Sequence, residues 1–439
     1  MNLIITNAKI VHPRPLGAAH TKPELGTIYV VDGAFATCEG ALAAGLVTAD
    51  GTPREGTAVV DATGLYALPG LIDAHTHLRD PGQEYKETIA TGTRAAARGG
   101  FTSVLCMPNT KPVIDNAAVV RYVIDKARRE AAVNVFPIGA VTKGQKGVEI
   151  AEIGLMQEAG AVAVSDDGVP VSTAAMLQRA LLYAADFGIP VIDHCEDLSL
   201  AAGGVMNEGL NSTVMGVQGI PSAAEDIIVA RDIELAGYLG LSIHLAHIST
   251  AGAVAMIRQA KARGIQVTCE TCPHYFTLTD DHCLGFNTLA RVNPPLRRPE
   301  DVAAIIEGLV DGTIDMIATD HAPHHDDEKD IEFAHALNGM TGLETAWQLA
   351  WTRLVLPGYL EIGDLARLMS RAPSERFGLG RGGFEPGRPA DLILVDPERE
   401  VTVDRFKMLS RSHNSPYHGM TLQSDVVRTY VGGREVYRG

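Results

Sequence analysis

Two kinds of apolar run take turns along the middle of the chain. Short β-rich segments recur between residues 71 and 323: "LIDAHTH", "FTSVLCMPN", "NVFPIGAVT", "AVAVSDDG", "IPVIDHCED", "LSIHLAHIS", "IQVTCETCPHY" and "IDMIATDHAP". Longer stretches with helical spacing separate them, among them "AAVVRYVIDKARREAA", "AAMLQRALLYAADFG" and "AGAVAMIRQAKARG", most ending near a glycine. Strands alternating with helices predict parallel pairing through right-handed crossovers. Eight of them predict a (β/α)8 TIM barrel; an open doubly wound sheet shares the periodicity and is the structural alternative.

At the two ends the period changes to that of short strands broken by turn residues. "LIITNAKIV", "TIYVVDGAF" and "GTAVVDATG" precede the barrel pattern, and "ADLILVD", "EVTVD" and "VVRTYVGGREVY" follow residue 385. The expectation is a small β-sandwich domain assembled from residues 1–66 plus 385–439, flanking a barrel of residues 67–384. Two helical stretches, "GLETAWQLAWTRLV" and "IGDLARLMSRAPSERFG", would link it to the last barrel strand.

Composition narrows the functional classes. A net charge of -16 with no basic block argues against a nucleic-acid partner, although positive groups can stay local to a pocket for small anions. No uncharged apolar run approaches the roughly 18 residues of a membrane helix, and "MNLIITNAKIVHP" has no basic leader, so a cytoplasmic protein without a membrane partner is expected. The six cysteines suit reduced thiols. "CETCPH" resembles half a zinc knuckle, but strand alternation would send Cys269 and Cys272 to opposite faces and no second CxxC exists.

Polar residues gather at the carboxyl ends of the predicted strands, where barrel enzymes carry their chemistry. In "LIDAHTHLRDPG", alternation puts Asp73, His75 and His77 on one face, expected to be the barrel interior, and turns Ile72 and Ala74 toward the helices. His194, His247 and Asp320 close three further strands. In "AVAVSDDG", Asp167 shares its parity with the small residues Ala161, Ala163 and Ser165 and is expected to face inward, unlike Asp166. Imidazoles and carboxylates converging on one mouth form the ligand set of zinc or another first-row divalent ion. His244 has the opposite parity to His247 and is expected under the helices; His282, His335, His413 and His418 are expected in solvent. Arg79, just after the histidine pair, would receive an acidic substrate, the alternative being an ion pair with Asp80 or Glu84.

The stretch "DAHTHLRDPGQEYKETIATGTRAAARGGFTSVLCMPNTKPV" resembles the dihydroorotase signature of the amidohydrolase superfamily, as do "DDGVPV", "DHCED", "LAHIST", "VNPPLR" and "IATDHAPHHDDEK". The resemblance implies reversible cyclisation of N-carbamoyl-L-aspartate to dihydroorotate in pyrimidine biosynthesis. It implies one or two zinc ions, with His75 and His77 on one, His194 and His247 on a second, Asp167 bridging, and Asp320 as both ligand and proton shuttle. Water activated by the cation would attack the ring amide carbonyl. Substrate contacts would come from His77, Arg79, Asn109, Asn293, His324, Asn338 and Gly339. Many relatives bridge the metals with a carbamylated lysine, whereas "SDDG" supplies an aspartate, which weakens a hydantoinase reading. Relatives often carry Phe-Gly where this chain has Asn338 and Gly339. A homodimer and an association with aspartate transcarbamoylase are further implications. The alternatives are a hydantoinase or allantoinase, and a catalytically silent scaffold for aspartate transcarbamoylase.

Overall fold

A computed structural model describes residues 1–19 and 22–439. Eight parallel strands pair in chain order: Leu71–Thr76, Phe101–Cys106, Asn134–Gly139, Ala163–Ser165, Val191–Asp193, Ile243–Leu245, Val267–Thr271 and Met316–Ile317. The ring closes where Thr76 bridges His321 and the His77 N–H donates to the His321 carbonyl at 2.9 Å. Asp73 reinforces the seam by accepting from the N–H and hydroxyl of Thr319. The protein is therefore a closed barrel, and the doubly wound alternative falls.

Several crossover helices carry their apolar residues on one face and a polar side chain at the start that caps them. Asn116 caps Ala117–Glu130, Thr173 caps Ala174–Asp186 and Thr250 caps Ala251–Ala262, each through its side-chain oxygen. Ala223–Leu239 and Pro299–Asp311 complete the longer members. Their buried faces join outward strand residues such as Val104, Val164, Val191 and Leu245 in one large core. A second core fills the barrel itself: Ile72, Ala74, Leu105, Ile138, Ala163, Ile192, Ala246, Met316 and Ala318, with Phe377 packed among them.

That interior corrects the expected parity of the first strand. Ile72 and Ala74 point into the barrel, and Asp73 points to the seam, because the pairing register slips between Asp73 and Thr76. The bulge shifts the alternation by one, so His75 and His77 still reach the mouth. Ala161 likewise joins the outer core while Val162 packs on the inner one, although Ala163 faces inward as expected.

The two termini meet in one eight-stranded sheet, ordered Arg434–Arg438, Thr421–Val431, Leu392–Thr402, Tyr66–Pro69, Leu3–Ile10, Glu24–Val31 and Ala34–Ala36, with Val59–Asp61 also paired to Leu3–Ile10. Leu3, Ile5, Ile28, Val30 and Phe35 pack with Leu392, Leu394 and Tyr430, so each end of the chain buries the other. "ADLILVD" and "EVTVD", expected as two strands, are one strand with a register shift between Asp396 and Glu400. "IQVTCETCPHY" is a strand only to Thr271 and then turns, so alternation does not reach Cys272; Cys269 and Cys272 share the outer core as free thiols.

Candidate metal centre

Most of the site residues predicted to close strands lie one to three positions beyond them, in the turns at the barrel mouth. Neighbouring carboxylates hold these turns. Asp166 accepts from the N–H and hydroxyl of Thr142, which fixes the turn presenting Asp167. Asp193 accepts from the Val171 N–H and from Arg231, anchoring His194. Glu225 accepts from the N–H groups of Ser249 and Thr250, just after His247. Three site residues take left-handed backbone, unusual without glycine: Arg79 (φ 59°), His247 (φ 35°) and Asp320 (φ 46°). Strained conformations of this kind concentrate at functional sites.

The aimed side chains converge on a cavity of about 200 Å³. Asp167 sits at its centre, within 3.3 Å of His75 Nε2, 3.5 Å of His77 Nε2, 3.7 Å of His194 Nδ1 and 3.4 Å of His247 Nε2. Asp320 Oδ1 lies 3.0 Å from His77 Nε2 and 3.6 Å from His75 Nε2. His194 Nδ1 and His247 Nε2 approach to 2.8 Å. His75, His77 and Asp320 thus make one group able to hold a cation, and His75, Asp167 and His247 a second.

Every one of these groups is buried. His75 Nε2, Asp167 Oδ1 and His247 Nδ1 are buried with no hydrogen-bond partner, a costly state for polar atoms unless a ligand takes their lone pairs. Burial opposes charge throughout, but the carboxylates outweigh it and raise His75 well above the usual imidazole range; His194 rises to about 10 against the same penalty, helped by Asp167 and Glu196. Reciprocally, the imidazoles hold Asp167 and Asp320 far below the usual carboxylate range despite burial. A field that draws protons onto His75 and His194 also draws a divalent cation, whose binding releases those protons. The residues fit a metal ion.

Supporting groups fix the donor faces. His75 Nδ1 meets Glu270 Oε1 at 2.7 Å, His77 Nδ1 meets Asn109 Oδ1 at 2.9 Å, and His194 Nε2 lies 3.5 Å from Glu196 Oε2 and from Asn293 Nδ2. Glu270 also reaches His244 Nε2 at 3.3 Å, so His244 is inside the barrel against Phe377, not under the helices as expected. His282, His335 and His418 are exposed, and His413 is half-buried. Sequence reasoning passed over Glu270 and Glu196; an acidic residue two positions after His194, and another midway along an apolar strand, were the available signals.

Arg79 is buried at the cavity wall, donating to the Pro323 carbonyl at 3.1 Å and lying 3.3 Å from His324 Nε2. No carboxylate among the described residues is within ion-pairing distance of it, and burial lowers its pKa to about 10. Asp80, the alternative partner, is taken by Lys126 at 2.7 Å. Asn109, Asn293, His324, Asn338 and Gly339 line the same cavity.

Residues 64–253 match the model of the "Dihydro-orotase-like" family. The chain is 60% identical over 380 residues to a dihydroorotase of Acetivibrio thermocellus, covering 87% of this chain and 89% of that one. It is 52% identical over 438 residues to a dihydroorotase of Citrifermentans bemidjiense, covering all of both. Among solved structures, the L-hydantoinase (dihydropyrimidinase) of Arthrobacter aurescens superimposes with a TM-score of 0.87 at 25% identity, covering 100% of this chain and 96% of that one. The dihydropyrimidinase of Brevibacillus agri NCHU1002 gives 0.83 at 23% identity over 100% of this chain and 95% of that one, a likeness of fold. With the barrel, the side-chain groups at its mouth able to hold a cation and full-length relatives in agreement, the chain belongs to the dihydroorotase family of cyclic amidohydrolases.

Proposed function

We propose that this chain interconverts dihydroorotate and N-carbamoyl-L-aspartate in pyrimidine biosynthesis. One observation carries the reading: a buried guanidinium with no carboxylate partner among the described residues, Arg79, faces the cavity that also holds the groups able to bind a cation. An unpaired buried charge is costly, and a substrate carboxylate would relieve it with bidentate hydrogen bonds.

His75, His77, Asp167, His194, His247 and Asp320 would hold the metal, as one ion or two, with Asp167 central among the four imidazoles. Imidazole and carboxylate donors suit zinc. A divalent ion bound there supplies acidified water, its pKa lowered from ~15.7 to ~7, and polarises a carbonyl oxygen. Arg79 holds the substrate carboxylate, while His77, Asn109, Asn293, His324, Asn338 and Gly339 position the ring. Asp320, ionised at neutral pH, accepts the proton of the attacking water and delivers it to the departing ring nitrogen. Ring opening creates a carboxylate and a proton, so rising pH favours hydrolysis.

The family resemblance extends the proposal to a cytoplasmic homodimer able to associate with aspartate transcarbamoylase, and to residues 1–66 plus 385–439 as a domain distinct from 67–384. No helix among the described residues is long and apolar enough to cross a membrane.

The deciding experiment is a dihydroorotate hydrolysis assay on protein of measured metal content, before and after chelation and re-addition, with hydantoin and allantoin in parallel. Metal-dependent opening of dihydroorotate in preference to both is expected. Metal-replete protein that leaves dihydroorotate intact, or prefers hydantoin or allantoin, overturns the proposal.

A further inference from the structure

Asn338 is exposed on the cavity wall, yet one end of its amide is already engaged. Arg291 Nε donates to Asn338 Oδ1 at 2.9 Å. Guanidinium groups only donate, so the amide atom facing Arg291 is the oxygen, and the NH2 is left over. Asn338 Nδ2 has no partner among the described residues.

The backbone beneath this amide is fixed from several sides. The buried Lys329 ammonium donates to the carbonyls of Leu337 at 2.7 Å, Gly339 at 3.0 Å and Arg291 at 3.3 Å. Asn414 Nδ2 donates to the carbonyls of Gly339 at 3.1 Å and Ala322 at 3.0 Å. The Gly339 N–H returns to the Arg291 carbonyl at 2.9 Å. Gly339 has φ +136°, and a Cβ there would meet Ala322 Cβ at 2.7 Å. The Arg291 guanidinium pairs with no carboxylate among the described residues; it also donates to the Phe333 carbonyl and lies over the Phe333 ring, 5.8 Å from its centroid. A loop held this closely beside a reaction cavity presents the Asn338 amide in a set direction.

We infer that Arg291 is a positioning residue that turns the Asn338 amide so that its NH2 is a specificity-determining donor to an acceptor oxygen of the bound cyclic ureide. The inference rests on the dihydroorotate reading above and deepens it. A site built around a donor discriminates against ring analogues without the matching acceptor, because its own polar group is then left unpaired. An aromatic at this position would offer a ring face and no such discrimination.

The test is steady-state kinetics with dihydroorotate on metal-replete protein, comparing Asn338→Leu, Arg291→Met and the double variant. Each single substitution is expected to raise KM about tenfold, the worth of a hydrogen bond, with kcat moving far less. The double variant is expected to be no worse than Asn338→Leu, since Arg291 acts through Asn338. Asn338→Asp, which puts an acceptor where the donor was, should raise KM further than Asn338→Leu, and it decides the matter should Arg291→Met fail to fold. An unmoved KM in Asn338→Leu, an Arg291→Met effect that persists in full on the Asn338→Leu background, or an Asn338→Asp protein no worse than Asn338→Leu overturns the inference alone. Wild-type protein that does not open dihydroorotate overturns the functional reading, and this inference with it.

Discussion

Glu270 and His75 face each other across the barrel interior at 2.7 Å, both fully buried. The carboxylate accepts from Nδ1, which fixes the tautomer and leaves the Nε2 lone pair turned toward Asp167 and Asp320. A carboxylate behind a ligating imidazole typically contributes 10- to 100-fold to metal affinity, so Glu270→Leu is expected to lose about that much. Glu270→Gln, which can still accept from Nδ1, should lose less. Competition with a chelator of known affinity measures both, and a Glu270→Leu protein that binds its ion as tightly as the wild type refutes the role.

Arg79 offers a test of substrate charge. Arg79→Lys keeps the cation but replaces a planar fork by a point charge, so one of two charge-assisted hydrogen bonds is lost. Each such bond is worth about 1.5–3 kcal/mol, which predicts a rise in KM for dihydroorotate of roughly 10- to 100-fold. Dihydrouracil, a ring without the carboxylate, should bind wild type and variant alike. Equal losses for both compounds would mean that Arg79 supports the loop and not the substrate.

How far the sequence revealed the site depends on what kind of signal each residue carries. His75, His77, His194, His247 and Asp320 were legible because parallel strands in a barrel bring their carboxyl ends to one mouth, so position along each strand stood in for position in space. Asp167 was separable from Asp166 by parity, and the two do divide, one into the cavity and one onto Thr142. Parity failed at Ile72 and Ala74, where a bulge breaks the count that alternation assumes. It failed again at His244, whose position is set by pairing with Thr268 and Glu270 on the neighbouring strand. Arg291 was illegible for the same reason, since its partner Asn338 lies 47 positions away and nothing local marks it; Glu270 stood out only as an acidic residue in an apolar strand, and its partner His75 is 195 positions distant.

His324 predicts an acid weakness. Burial, with Arg79, Lys86 and Lys329 around it, lowers its pKa to about 3 although Glu328 pulls the other way. The folded value is below the unfolded ~6.5, so on acidification the unfolded chain takes up the proton first, and stability falls as pH drops below about 6.5. The loss approaches about 1.4 kcal/mol for each pH unit below that point. With metal removed from both proteins, the wild type should therefore lose more stability between pH 7 and 5 than His324→Asn. Denaturant midpoints at several pH values measure this, and parallel curves would count against a buried neutral imidazole.

Asp320→Asn separates the chemistry of the site from its architecture. Asp320 takes a left-handed backbone at φ 46°, a conformation that asparagine tolerates as readily as aspartate, so the substitution adds no backbone strain. Its Oδ1, 3.0 Å from His77 Nε2, can be replaced by an amide oxygen of the same reach. What the amide cannot do is accept a proton at neutral pH. Loss of a general base typically costs about 10²- to 10⁴-fold, and kcat is expected to fall by that amount in protein whose metal content equals that of the wild type. Metal content and turnover are read on the same samples, with and without added zinc. A protein that loses its ion and regains full turnover on re-addition would make Asp320 a ligand and nothing more. One that keeps both ion and full turnover would place the proton transfer on another residue.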